Sequence, residues 1–472
     1  MIQYNEGKDS EMKKFLKLAL CCFTFFCAAV ILHAEGVKYV FLFIGDGMSF
    51  PQRMMADEYS LTTGGSGLLI NTFPVQTASR TRSTSSFITD SAAAGTAIAC
   101  GEKTMNGRIG MDSKGKRELE SMAFVAQKAG KKVGIITSVT INHATPAAFY
   151  AHNVDRGNYF EIAKDMITAG FDYYGGGGIQ NPVKNGEDVY ELAKKAGYHV
   201  CKTVQEVKAL PKDGKKAIAT AYPGIMPYAL DKTEEDLRLD FFVRQALDRF
   251  EGHDKGFFIM CEGGAIDWLC HANDAAGTVQ EVLEFDAAVA VAFEFYKKHP
   301  NETLIVITGD HETGGMTLGF NNTGYTSYIR YLSGQKMTNG LLAASLRALK
   351  PAADKLTWDE LKVWITGSTG LLFTENGKKL RSPVALSPAE EAELKALFIK
   401  EIEAGKIKDG RTCAALSRKL ILLLNNKSSI GWTSGHHTGL PVNTSAIGKS
   451  AEKLAAVPDN TDIAKVMKEL LK

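Results

Sequence analysis

Cysteine is scarce and poorly placed for cross-linking. Of the eight, Cys21, Cys22 and Cys27 fall in an N-terminal apolar stretch, and Cys100, Cys201, Cys261, Cys270 and Cys413 are widely spaced and odd in number. That pattern excludes a disulfide framework as the source of stability. Charge of one sign is also lacking. With 55 Lys and Arg against 53 Asp and Glu, the net charge is +2, and no basic stripe is interleaved with aromatics. Nothing suggests nucleic-acid-specific binding. No apolar run reaches the ~20 residues a spanning helix needs, so no stable membrane span is expected. The glycine run at 175–178 has no Lys-Ser or Lys-Thr after it, and reads as a turn rather than a P-loop. A Gly-x-Ser-x-Gly elbow is absent, so lipase-type hydrolysis is not suggested.

What is present begins with a leader. Met12-Lys13-Lys14 opens a basic start, residues 18–32 are apolar, and Ala34 is a small residue before Glu35. Residues 1–34 therefore read as a secretory signal peptide, with Met12 as the initiator and an uncleaved anchor as the alternative. Export is expected, to the periplasm first, with an extracellular or membrane-anchored location as the alternatives. Hydrophobic content of 45% and charged content of 23% suit a globular chain of 472 residues with a large core.

Short apolar runs at 37–44 (VKYVFLFI), 132–137 (KVGIIT), 257–260 and 303–307 predict buried strands. Helical patterns at 119–129, 159–169 and 279–297 alternate with them. That alternation predicts an α/β fold with a mixed, mostly parallel central sheet between helices. From 321 to 429 strand signals thin out, and helical periodicity dominates at 357–366, 388–403 and 413–424. The expected organisation is a core over 35–320, a mainly helical insertion over 321–429 serving as a cap or oligomer contact, and the rest of the core over 430–472, ending in a helix at 460–471.

Three of the predicted strands end in a carboxylate on a glycine-flanked turn: Gly45-Asp46-Gly47, Cys261-Glu262-Gly263-Gly264 and Gly309-Asp310-His311. Chemistry collects at the carboxyl ends of strands in α/β sheets. Asp267 and His271 are four apart, so on a helical turn they share a face that suits Zn2+. Cys261 and Cys270 flank these ligands and read as small packing residues. Ser91, in Thr89-Asp90-Ser91-Ala92-Ala93-Ala94-Gly95, is placed to begin a helix, where the dipole favours an anion. As an isolated serine it would be a cap; as a nucleophile it needs activation by a metal. Thr145, in His143-Ala144-Thr145-Pro146, offers a hard oxygen for a cation such as Mg2+. His143 is a ligand, a donor behind the ligands, or a loop histidine. Arg156 offers a planar fork for phosphate oxygens. Of the adjacent His436 and His437, only one is expected to face a metal, because neighbouring side chains diverge in extended structure.

Taken together and in this order, these motifs resemble the signature set of the alkaline phosphatases, over about 37–320 and 431–472. The resemblance implies that Ser91 is the phosphoseryl nucleophile and Arg156 the phosphate-binding arginine. It implies that Asp267, His271 and His437 hold a first zinc, and Asp46, Asp310 and His311 a second. Asp46, Thr145 and Glu262 would hold magnesium, giving two Zn2+ and one Mg2+. It further implies hydrolysis of small-molecule phosphate monoesters through a phosphoserine, and admits a homodimer. The enterobacterial pattern has Asp at the position of His143 and Lys at that of Trp268, which leaves the identity of the third metal open. The alternatives are a related metal hydrolase acting on phosphodiesters, phosphonates or sulfates, and a non-catalytic metal- or phosphate-binding protein. Diesterases resemble this set but usually lack the Glu262–Thr145 third site. The segment Ser91-Ala92-Ala93 is not the Cys/Ser-x-Pro-x-Arg setting of a sulfatase.

Overall fold

The apolar runs form the middle of one sheet. A computed structural model describes residues 36–321, 323–349, 356–403 and 413–472; the leader at 1–34 lies outside the described residues. The strands are β1 (Tyr39–Gly45), β2 (Val75–Ser79), β3 (Lys132–Thr137), β4 (Tyr173–Gly176), β5 (His199–Cys201), β6 (Ala217–Thr220), β7 (Phe257–Gly263), β8 (Thr303–Gly309) and β9 (Val442–Gly448). They pair in the order β2-β9-β8-β1-β7-β3-β4-β6-β5. Every pairing is parallel except the two made by β9. The central strands are buried on both faces, which is why they read as unbroken hydrophobic runs.

Period-two alternation divides the core into two layers. Phe41, Phe43, Ile259, Ile305 and Ile307 face helices Phe50–Thr62, Leu239–Phe250 and Ala275–Lys298. Val40, Leu42, Ile44, Met260 and Val306 face helices Ser91–Cys100, Met122–Lys128, Tyr159–Ala169 and Asn460–Leu471. The predicted helix at 119–129 begins only at Met122, because the Ser121 side chain caps it by accepting from the Phe124 N–H. The glycine run expected as a turn contributes its first two residues to the end of β4.

The described residues between 321 and 429 are mainly helical, with helices Asn339–Ala348, Trp358–Thr369, Pro388–Phe398 and Ala414–Lys427. They pack into the first layer: Leu342, Leu361, Leu394, Phe398, Leu420 and Leu424 belong to the same apolar cluster as Phe41 and Phe43. This segment also grips the loop after residue 271. Gln335 Nε2 donates to Asp274 Oδ1 (2.7 Å), the Asn339 N–H to Asp274 Oδ2 (2.7 Å), and Asn425 Nδ2 to the Asn273 carbonyl (2.7 Å). No helix among the described residues is long and apolar enough to cross a membrane. The cysteines at 100, 201, 261, 270 and 413 are buried, and no disulfide joins any two of them.

Helix Ala275–Lys298 carries two buried glutamates. Glu281 accepts from the Ala229 N–H (2.6 Å), while Glu284 takes Lys232 and Arg238. Burial, with Glu284 adding to it, pushes Glu281 up from 4.5 to about 8. In that window the native state keeps the proton and the unfolded chain releases it, so stability falls as pH rises from 4.5 to 8. Glu281→Gln keeps the acceptor for Ala229 and removes the penalty. Its melting temperature relative to the parent is expected to rise through this window and level off above it. A difference that stays constant from about pH 5 to about pH 9 would free Glu281 of that role.

Candidate active site

The site lies at the carboxyl edge of the sheet, on the layer of helix Ser91–Cys100. Alternation along the strands sets this. Ile44, Met260 and Val306 face that layer, so Asp46, Glu262 and Asp310, each an even number of residues further on, follow them. Register aligns Gly45 with both Gly263 and Gly309, so the three carboxylates leave adjacent strands at nearly one level. Two glycines keep the parts close. Gly47 has φ +71°, and a Cβ there would lie 2.9 Å from the Asp267 Cα; a Cβ on Gly95 would lie 3.2 Å from the Thr145 Cα.

Three sets of donor atoms converge, each within 4.8 Å: Asp267, His311 and His437; Asp46, Asp310 and His311; and Asp46, His143 and Glu262. His271 joins the first. Its Nε2 lies 3.2 Å from Asp267 Oδ2 and 3.2 Å from His437 Nε2. Thr145 Oγ1 stands 3.5 Å from Asp46 Oδ2, beside the third. Thr137 donates to Glu262 from the neighbouring strand.

The tautomers follow from the outer partners. His271 Nδ1 lies 2.7 Å from the Gly435 carbonyl and His437 Nδ1 2.8 Å from the Thr89 carbonyl. A carbonyl only accepts, so both Nδ1 atoms donate, which turns both Nε2 atoms inward toward Asp267. Two Nε2 atoms 3.2 Å apart, next to Asp267 and oriented by outer carbonyls, are an arrangement that suits a cation. His436 is exposed, and its backbone carbonyl accepts from the Gly314 N–H.

Electrostatics agree. Burial, then Asp310, Asp267 and Glu262, pushes the Asp46 carboxyl well above the usual range; burial, with Asp267 and Glu262, does the same to Asp310. Burial raises Glu262 to about 7. Asp46 Oδ1, Glu262 Oε1 and Asp310 Oδ2 are buried with no hydrogen-bond partner. Carboxylates this crowded need positive charge among them. The residues present therefore fit bound cations. Burial also opposes the charge on Asp267, yet the imidazoles of His271, His311 and His437 hold its carboxyl well below the usual range.

Ser91 is the first residue of helix Ser91–Cys100, with Asp90 as its cap, and Ser91 Oγ lies 3.3 Å from His311 Nε2. Arg156 Nη1 donates to Asp90 Oδ2 (3.0 Å) and Nη2 lies 3.2 Å from His143 Nε2. Three of its five N–H groups remain for a ligand. Burial works against the Arg156 charge, and Asp90 more than offsets it. Trp268 is half exposed, its ring edge-on to His143 at 6.2 Å. Ser91, His143, Arg156, Asp267, Trp268, His271 and His437 line one cavity of about 390 Å3, together with Tyr228.

The sequence model of the alkaline phosphatase family matches residues 37–472. The chain belongs to the alkaline phosphatase family. Alkaline phosphatase 4 of Bacillus subtilis is 35% identical over 392 residues, 82% of this chain and 77% of that protein. The repressible alkaline phosphatase of Saccharomyces cerevisiae is 28% identical over 466 residues, 90% and 78% of the two chains. Among solved structures, the cold-active enzyme of Shewanella sp. superposes with a TM-score of 0.78 at 26% identity, covering 92% of this chain and all of that one. The Thermus thermophilus alkaline phosphatase gives 0.75 at 27% identity, with 92% and 91% covered. The chain is thus a phosphoric monoester hydrolase of a metal-dependent family, and the expected α/β fold is the one observed.

Ser91, His143, Arg156, Asp267, Trp268, His271 and His437 line the cavity, Asp46, Thr145, Glu262, Asp310 and His311 meet in or beside the donor sets, and His436 is exposed. Four contributors were not assigned a role there. Asp90 caps the helix and also positions Arg156. Glu312 accepts from Gln52 Nε2 (2.7 Å), the Gly315 N–H (3.0 Å) and the Thr438 hydroxyl, tying the turn after His311 to the strand that carries His437. The Thr313 hydroxyl donates to Asp267. Glu312 and Thr313 directly follow Gly309-Asp310-His311, and that adjacency was their signal; Tyr228 has none.

His437→Ala is expected to lower bound metal measured by elemental analysis and to reduce turnover steeply, whereas His436→Ala leaves metal content near that of the parent. The reverse pattern would reassign the pair.

Proposed function

We propose that the enzyme hydrolyses phosphate monoesters through a phosphoseryl intermediate on Ser91, with two zinc ions and one magnesium ion bound. The first zinc would be held by Asp267, His271 and His437, the second by Asp46, Asp310 and His311, and magnesium by Asp46, Thr145 and Glu262. The carrying observation is the meeting of the Nε2 atoms of His271 and His437 with Asp267, in the cavity that Ser91 lines. When bound, such cations supply Lewis acidity, lowering the pKa of an attacking oxygen and neutralising phosphate oxygens.

The residues of the chain do the rest. Arg156, fixed from one side by Asp90 and from the other by His143, offers its free N–H groups to two phosphate oxygens. Ser91 Oγ, at a helix N-terminus whose dipole favours negative charge, attacks phosphorus as the ester P–O bond breaks. The Ser91 hydroxyl proton passes to solvent water, and the alcohol leaves with a proton taken from water. A second water then cleaves the Oγ–P bond, restoring Ser91 and releasing inorganic phosphate; two in-line displacements retain configuration at phosphorus.

His143 faces the third set as a donor in this reading. Burial, with Arg156 beside it, lowers it to about 3, so it is neutral. Its Nε2 accepts from Arg156, which leaves the single proton on Nδ1, 4.0 Å from Asp46 Oδ2. An Nδ1–H donor does not ligate a metal. It suits water or hydroxide bound at that site, and it leaves the oxygens of Asp46, Thr145 and Glu262 as the ligands, a hard set that fits Mg2+. Export with loss of residues 1–34 completes the reading.

Ser91→Ala is expected to lose most monoesterase activity with its metal content intact; turnover near that of the parent would reject covalent catalysis. Arg156→Ala is expected to cost about 2–4 kcal/mol of transition-state stabilisation in kcat/KM, the scale of a charged two-point donor, and to weaken inhibition by inorganic phosphate. Unchanged kcat/KM and inhibition would release Arg156 from phosphate binding. A diester turned over faster than an aryl monoester would favour the diesterase alternative.

A further inference from the structure

The cavity is larger than a phosphoryl group needs, and its outer part is aromatic. Its volume of about 390 Å3 falls in the range of sites that hold a whole small molecule. The inner lining is Ser91, Arg156 and the imidazoles, which the hydrolysis occupies. Trp268 and Tyr228 remain, from different parts of the chain. Trp268 is on helix Ala265–His271, next to Asp267. Tyr228 is on the long connection between β6 and helix Leu239–Phe250.

A loop tyrosine contributes to binding only if the loop holds it still, and this loop is pinned on both sides. The Met226 N–H donates to the Ser138 carbonyl (2.9 Å) just past β3. The Ala229 N–H donates to Glu281 (2.6 Å), and Asp231 accepts both the Thr338 N–H (2.7 Å) and its hydroxyl (2.6 Å). Three separate elements thus fix the six residues 226–231 around the ring. Its hydroxyl is uncommitted. The buried tyrosines 150, 174 and 198 each donate to a backbone carbonyl, and Tyr173 to Gln245. Among the described residues Tyr228 has no such partner. Burial pushes its phenol well up, so the ring stays neutral in alkaline solution. An anchored, neutral aromatic ring with no structural hydrogen bond, lining the cavity of the nucleophile, has the properties of a ligand-facing surface.

We infer that Tyr228 binds the leaving group by its ring face and biases the enzyme toward monoesters whose alcohol is a planar aromatic, with Trp268 as the second wall. The inference rests on the monoesterase reading above and deepens it. The group that departs would lie on the outer side of the phosphoryl group, away from Arg156 and the sheet.

The test compares phenyl phosphate with ethyl phosphate on the metal-loaded enzyme and on Tyr228→Ala and Tyr228→Phe. Comparing each variant with its parent cancels the intrinsic difference between the two esters. Tyr228→Ala is expected to lose about three- to tenfold in kcat/KM on phenyl phosphate, the scale of one aromatic pairing, mostly through KM. On ethyl phosphate the loss should stay under about twofold. Tyr228→Phe should restore the aryl preference, and inhibition by inorganic phosphate should not move in either variant. Equal losses on both esters, no loss on either, failure of phenylalanine to rescue, or weakened phosphate inhibition would each overturn the inference. Failure of the monoesterase reading shows separately, as a parent enzyme that hydrolyses neither ester or turns over a diester faster than phenyl phosphate.

Discussion

The structure is organised around a repulsion. Asp46, Glu262, Asp310 and Asp267 are carried to one place by two parallel strand pairings and one short helix, and all four are almost completely buried. No lysine or arginine is driven in among them; Arg156 stands at the rim, paired with Asp90. Such an assembly is unfavourable in an empty fold and favourable around divalent cations. The rest of the molecule can be read as what holds that arrangement in register: a sheet buried on both faces, glycines where strand turns touch, and hydroxyls of Thr137 and Thr313 on carboxylate oxygens. Strain of this kind is concentrated at a site because the site uses it.

Much of this could be read along the chain because strands are local. A run of apolar residues closed by Gly-Asp-Gly fixes both an element and the position of the residue after it, and period two fixes the face. Asp46, Glu262 and Asp310 were therefore legible one by one. Their meeting was not a property of any segment: it required that β1 sit between β7 and β8, a fact of topology. Asp267 and His271 were legible from helical spacing, and Asn460–Leu471 from its periodicity. Of the histidine pair, divergence of neighbours predicted that one would be turned away, and the resemblance chose His437; the carbonyl of Thr89 that orients it is 348 residues distant.

The parts that stayed hidden share one cause, namely partners remote in sequence. Helical periodicity at 388–403 gives an apolar face but not its neighbour, so nothing in it announced that Phe398 joins the cluster of Phe41 and Phe43. The proton of His143 is decided by Arg156, which is brought near only by the fold. Tyr228 lies in a stretch with neither strand nor helix, and three contacts from elsewhere give it a fixed place.

The ligand sets differ in how they meet solvent. The side chains of Asp46, Asp310 and His311 have no exposure, while His271 is 36% exposed. A cation held at the buried sets would be better shielded from solvent than one held at His271. A chelator would then reach the outermost ion first. The loop that bears His271 is tethered by Asn425 and Gln335, so the helical segment that looks peripheral would set the lifetime of the outermost ion.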